Sequence, residues 1–191
     1  ESGDIEIMIR KNNVSKEYLV TALVSTYNSE RFIRGCLEDL EAQTIAQHIE
    51  IIVIDSASQQ NERAIVEEFQ KRYDNIVYVR TRMREKLYAA WNRGIRMAKG
   101  RYITNTNTDD RRLPYALEAE AKALDKFPNV GLVYADIWGT SIENDILRVN
   151  DTARFKRFSY PEFTLLNGLT GSNFSPQPMW RRDVHDTVGF F

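Results

Sequence analysis

The sequence predicts an α/β fold with a mostly parallel sheet and helices on both faces. Three observations point there. Short runs of β-favouring apolar residues recur at 18–25, 49–54, 76–79, 102–105 and 130–135. Stretches with one apolar stripe at helical spacing separate them. Polar loops follow the first, second and fourth runs, and parallel strands would gather those loops at one end of the sheet, where such folds bind ligands.

Each element has its own signal. Residues 18–25 are continuously apolar, as a strand covered on both faces would be. Ser29 can cap a helix running to about residue 43, with Phe32, Ile33, Cys36, Leu37 and Leu40 as its stripe. Residues 49–54 form the next strand, Asp55 to Ser58 a loop, and 61–73 a helix with Ile65, Val66 and Phe69 inward. A third strand at 76–79 leads through the basic segment 80–86 to a helix over 87–99. Gly100 stands where a left-handed residue would end that helix. After the strand at 102–105 comes an acidic loop, then a helix from Pro114 to about residue 126, stopped by Pro128. Residues 130–135 supply a fifth strand.

The alternation fades beyond that point. Residues 137–149 read as a hairpin, and 155–180, aromatic and punctuated by Pro and Gly, as a lobe distinct from the sheet. The organisation expected is therefore a tail or linker over 1–17, a core over 18–136, and an incomplete segment over 137–191.

Composition narrows the function classes. With 191 residues, 42% hydrophobic, 28% charged and a net charge of -1, the chain suits one soluble domain without general affinity for nucleic acid or anionic lipid. No apolar run reaches the roughly 20 residues of a membrane span, and the N-terminus lacks the basic start and apolar block of a signal peptide. Cys36 is the single cysteine, so a reducing, cytoplasmic setting is expected, with Cys36 a buried structural thiol rather than a nucleophile. His48 and His185 have no metal-ligand spacing around them and read as structural.

The densest chemistry lies in residues 101–112. A β-favouring segment ends in a polar loop that sets Asp109 beside Asp110, with Asn107 two positions before and Arg111 and Arg112 after. Adjacent carboxylates repel, so a loop that keeps them is expected to hold something cationic. The two arginines read either as solvated or as contacts to an acceptor or phosphate.

Together the loops resemble the family 2 glycosyltransferases, which have the GT-A nucleotide-diphospho-sugar transferase fold. The matching residues run from Val24 to Asn28, from Glu50 to Ser56, from Tyr88 to Ile95, from Lys99 to Ile103 and from Asn107 to Asp109. The resemblance implies an inverting transfer from a UDP- or dTDP-sugar to a hydroxyl of a glycan, lipid-linked or other acceptor, as in surface polysaccharide assembly. It makes Asp109 the ligand of Mn²⁺ or Mg²⁺ and puts Asn107 at the motif's first Asp, a departure that removes charge from the metal shell while leaving Asn107 able to hydrogen-bond a ribose hydroxyl of the nucleotide sugar. Ser25, Thr26 and Tyr27 would line the base and ribose pocket. Asp55 would accept from the base, or alternatively cap its turn; Lys86 would contact the diphosphate, or alternatively be solvated.

The chain has no Gly-x-Gly-x-x-Gly turn and no Gly-Lys-Ser/Thr phosphate loop, which leaves a metal as the route to neutralise a diphosphate. Asp110 is expected either to compensate for Asn107 or to cap the following turn. The stretches Gly171-Ser172, 178–182 and 188–191 resemble the part of relatives that precedes an Asp-Glu pair. The expectation is thus a fragment of a longer chain whose catalytic base follows Phe191, with Asp183 and Asp186 as weaker in-chain candidates. Two other readings carry weight: a nucleotide-binding or recruiting module without turnover, and a sugar-phosphate nucleotidyltransferase, which lacks its Gly-rich basic loop here.

Overall fold

In a computed structural model, which describes residues 5–9, 16–147, 152–164 and 175–191, the chain forms a seven-stranded mixed sheet flanked by helices. In chain order the elements are β1 (Ile5–Ile9), β2 (Val20–Thr26), α1 (Glu30–Glu41), β3 (Ile49–Asp55), α2 (Glu62–Gln70), β4 (Ile76–Thr81) and α3 (Leu87–Met97). There follow β5 (Tyr102–Thr106), α4 (Ala116–Lys126), β6 (Leu132–Val133), β7 (Ile137–Gly139), β8 (Lys156–Phe158), β9 (Met179–Arg181) and α5 (Val184–Val188). The sheet order is β1-β4-β3-β2-β5-β9-β6; β7 and β8 make a separate ribbon.

Strands β4, β3, β2 and β5 are parallel, as their apolar runs and intervening helices require. Alternate side chains feed two cores. Val20, Ala22 and Val24 of β2 join Ile33, Leu37 and Leu40 of α1, Phe69 of α2 and Leu117 of α4 on one face. Leu23 and Ile52 join Ala90 and Ile95 of α3 on the other. Trp91 packs against this second core while staying half-exposed. Cys36 is buried in the first core, where loss of solvation pushes its thiol up to about 12, as a structural thiol requires.

Four expectations are corrected. The stretch read as an irregular tail contributes a strand, since Ile5–Ile9 pairs antiparallel with β4 and closes that edge of the sheet. The late segment also returns to the sheet: β9 inserts antiparallel between β5 and β6, and the fifth predicted strand shrinks to the two residues of β6 at the margin. The hairpin expected over 137–149, the last two residues of which lie outside the described ones, is replaced by a pairing of β7 with β8. Gly100 is not in a left-handed conformation. It is there for close approach: a Cβ would lie 2.4 Å from the Thr21 backbone nitrogen, and its own amide donates to the Thr21 hydroxyl (2.8 Å). Glu50 accepts from that hydroxyl (2.7 Å) and from the Lys99 amide (2.8 Å), seating the α3–β5 turn on the amino end of the sheet.

Because the obstacle at Gly100 is backbone, Gly100→Ala is expected to destabilise the fold by about 2 kcal/mol or more in urea unfolding. Glu41 provides a pH signature. Burial, partly offset by the Asn75 side chain and Lys16, raises its carboxyl to about 7 from 4.5. The fold therefore favours the protonated form, and this contribution is complete below about pH 4.5 and lost as pH rises through about 7. Unfolding titrations should find Glu41→Gln gaining on the wild type across that window.

Candidate functional site

The parallel register fixes which loops meet. Thr26 pairs with Asp55, Asp55 with Arg80, and Val24 with Thr106, so the loops after β2, β3, β4 and β5 emerge side by side at one end of the sheet. The first two are laced together. The Asn28 amide donates to the Ser58 hydroxyl (3.1 Å), and the Gln59 amide to the Asn28 side-chain oxygen (2.7 Å). Ser29 precedes α1 without capping it through its hydroxyl; its amide instead donates to the buried Glu62 carboxylate. Asn28 and Ala57 both have positive φ, at 52° and 60°. Asparagine tolerates that region, whereas alanine is strained there.

Asp55 is fully buried and already engaged. Its Oδ1 accepts from the Ser58 amide (2.7 Å), which is the turn cap, and its Oδ2 accepts from the Tyr78 hydroxyl and from Arg80 Nη1 (2.6 Å). Burial and this carboxylate push the Tyr78 phenol upward, so it stays protonated and donating. Arg80 in turn donates to the Ser58 carbonyl (2.6 Å) and lines an open cleft of about 870 Å³ with Tyr27, Ala57, Ser58, Arg82 and Arg84. The Arg84 guanidinium lies over the Tyr27 ring, 4.1 Å from its centre. Thr26 is buried and its hydroxyl has no partner among the described residues, Ser25 is half-buried, and exposed Lys86 immediately precedes α3, outside the cleft lining.

The loop after β5 separates its two carboxylates. Asp110 accepts from the Asn107 amide (2.8 Å) and from Gln177 (2.8 Å), so it is spent on the loop itself. Asp109 is exposed and has no partner among the described residues. Those residues hold no cluster of three His, Cys, Asp or Glu side chains. A single free carboxylate still suits a Mg²⁺ or Mn²⁺ ion whose remaining ligands are phosphate oxygens and water. Arg111 and Arg112, read earlier as solvated or as ligand contacts, are structural. Arg111 makes a two-pronged pair with Asp39 (2.7 and 2.8 Å), and the Arg112 amide donates to the same carboxylate (2.8 Å). The Arg112 side chain is buried beside Glu120, whose carboxyl burial raises to about 7 against the pull of Arg112.

Asp183 and Asp186 do not join this end. β9 runs antiparallel to β5 with Arg181 opposite Tyr102, which carries both aspartates to the amino end, where they share a separate cleft with Arg96 and Arg182. Phe191 then packs on Tyr88 and Trp91 of α3, with its backbone exchanging two hydrogen bonds with the Asn92 amide (2.6 and 3.0 Å). His185 links Trp180 to the Gly189 carbonyl, a structural role, and the Gly171-Ser172 stretch lies outside the described residues. Reading the residues one at a time missed Arg80, Tyr78 and Gln177. Only Arg80 carried a signal, being the first of an alternating basic run directly after a strand.

The sequence profile described as Glycosyl transferase family 2 matches residues 21–189. An uncharacterized glycosyltransferase of Methanocaldococcus jannaschii, MJ1057, is 24% identical over 139 residues, covering 72% of this chain and 48% of its own. Among solved structures, S. aureus TarS in complex with UDP has a TM-score of 0.70 at 21% identity, covering 88% of this chain and 48% of that one. A mannosyltransferase of Pyrobaculum calidifontis, PcManGT, in complex with GDP-Man and Mn²⁺, has a TM-score of 0.67 at 22% identity, covering 93% and 48%. The chain thus spans about half the length of these proteins, and the GT-A fold expected from its sequence is the fold it has.

Ala57 supplies a test of the loop geometry. Ala57→Gly relieves the positive φ and is expected to stabilise the fold by about 1 kcal/mol in urea unfolding.

Proposed function

The chain belongs to Glycosyl transferase family 2, and from that premise we propose that it forms the donor-binding part of a transferase. The reaction proposed passes a sugar from a UDP- or dTDP-sugar to an acceptor hydroxyl with inversion. The observation that carries this reading is the pairing of a free Asp109 with a basic, Tyr27-bearing cleft at the same end of the sheet. Its support from similar proteins is that TarS binds UDP and that PcManGT binds GDP-Man with Mn²⁺.

In this reading the base enters the cleft at Tyr27, and Arg84 gives up its place over the ring. Asp55 holds Arg80 at the cleft wall, and its own contact with the base follows only if Arg80 shifts. Ser25 and Thr26 lie beneath the ribose, and the unpartnered Thr26 hydroxyl supplies a donor or acceptor. Arg82, Arg84 and Lys86, exposed on the β4–α3 loop, face the negative diphosphate. Asp109, helped by the Asn107 side-chain oxygen, would hold a divalent metal. That ion, when bound, neutralises charge on the departing diphosphate. A base that takes the acceptor's proton is not assigned among the described residues, since Asp183 and Asp186 stand at the far end of the sheet.

Calorimetric titration with UDP, with and without Mn²⁺, tests the reading. Binding should strengthen with Mn²⁺, and Asp109→Ala should weaken it by on the order of tenfold or more. UDP binding that ignores both the metal and the substitution would sink the role given to Asp109.

A further inference from the structure

Gln177 sits where the late segment meets the loop after β5, and half of its side chain is unused. Its neighbours are pinned to the end of β5: the Asn105 amide donates to the Pro176 carbonyl (2.7 Å) and the Thr104 hydroxyl to the Pro178 carbonyl (2.9 Å). A proline on either side leaves this backbone little freedom. Met179 pairs with Thr104, so Gln177, two residues earlier on the antiparallel strand, is level with Thr106 at the carboxyl end of the sheet.

The orientation of the amide follows from its partner. Gln177 Nε2 donates to Asp110 Oδ2 (2.8 Å), and an ionised carboxylate only accepts, so Oε1 must face away from Asp110. That oxygen is buried and has no donor among the described residues, on a residue only 9% exposed. Asn107 is set the same way, with its Nδ2 on the same Asp110 oxygen (2.8 Å), which keeps its Oδ1 off that carboxylate. Asp110 therefore fixes two amides nitrogen-in and oxygen-out beside the free Asp109. An orphaned buried oxygen is costly, and a ligand that brings a donor recovers the loss.

We propose that Gln177 is a donor-sugar contact, with Oε1 accepting a hydrogen bond from a hydroxyl of the transferred glycosyl group, and that Asp110 is the positioning residue that aims it. The inference rests on the nucleotide-sugar reading above. Strand order gives the ligand its direction: the base cleft lies at β3 and β4, Asp109 follows β5, and Gln177 precedes β9 beyond it. A diphosphate offers only acceptors, which cannot satisfy an amide oxygen. Past the diphosphate, the donors left on a nucleotide sugar are the sugar's hydroxyls and, in an acetamido sugar, its amide N–H.

Titrations of UDP and of a panel of UDP-hexoses including UDP-GlcNAc, all with Mn²⁺, test this in the wild type, Gln177→Met and Asp110→Asn. At least one UDP-hexose should bind the wild type more tightly than UDP. That advantage should fall about five- to tenfold in Gln177→Met while UDP affinity is unchanged, and should fall in Asp110→Asn as the amides are released. If Gln177→Met does not fold, Gln177→Asn, which withdraws the oxygen by one methylene, makes the same comparison. An advantage that survives substitution overturns the proposal. So does an equal loss for UDP itself, which would assign the oxygen to the metal or nucleotide. A wild type that binds UDP but gains nothing from any hexose overturns the sugar contact alone; one that binds no UDP overturns the donor reading with it.

Discussion

The candidate site depends on one carboxylate outside it. Asp39, on α1, accepts three hydrogen bonds from the loop after β5: two from the Arg111 guanidinium and one from the Arg112 amide. One turn earlier on the same helix face stands Gly35, and a Cβ there would lie 2.9 Å from an Arg111 nitrogen. Glycine inside a helix costs about 1 kcal/mol relative to alanine, and here it makes room for the guanidinium. Asp39 and Arg111 are largely buried, so losing either partner would leave an uncompensated charge in a poorly solvated place. The loop is thereby fixed to α1 rather than free to follow solvent.

From that anchor the rest of the loop takes its shape. Arg112 turns inward to reach the Thr104 hydroxyl (3.0 Å) and the Asn105 carbonyl (3.1 Å). Thr104 and Asn105 then use their own donors on the backbone flanking Gln177, which closes on Asp110. The chain of contacts runs from α1 through β5 to the segment before β9, joining stretches more than a hundred residues apart. What it leaves unengaged is Asp109. Hydrogen bonds to one of two neighbouring carboxylates stabilise its charge, and the other is left exposed as a single free carboxylate at the strand end.

How much of this could be read beforehand follows from what each signal depends on. Strands β2 and β3 announce themselves because a strand buried on both faces must be continuously apolar, and the helices between them because one stripe must face the sheet. β9 does not: Met179–Arg181 is three residues long, too short for any period, and its place in the sheet comes from β5 having an open edge. The same holds for Ile5–Ile9, held by pairing with β4. The place of Asp109 in a loop after a strand was legible, since that signal is local. Asp39 and Gln177 were not legible in the roles they have, and of Asp55 only the turn cap was. Asp39 looks like any polar helix residue, Asp55 looks like an open acceptor until Tyr78 and Arg80 are seen upon it, and Gln177 gains meaning only across 67 positions of sequence. Arg111 and Arg112 misled for the same reason, their partners being Asp39 and Glu120 rather than solvent or ligand.

The electrostatics of the two loops constrain what the proposed ligand is. On the β4–α3 side, Arg82, Arg84 and Lys86 are exposed and positive; on the β5–α4 side, Asp109 is exposed and negative. A simple anion drawn by the first loop would be repelled by the second, and a simple cation would meet the reverse. A diphosphate carrying a divalent cation presents both signs in a fixed order along one molecule, the anion toward the arginines and the cation toward Asp109. With Asn107 neutral and Asp110 committed to its amides, the negative side offers one free carboxylate, so the cation would be held as much by the phosphates as by the protein. On the reading proposed above, metal and nucleotide therefore bind together, each weak without the other.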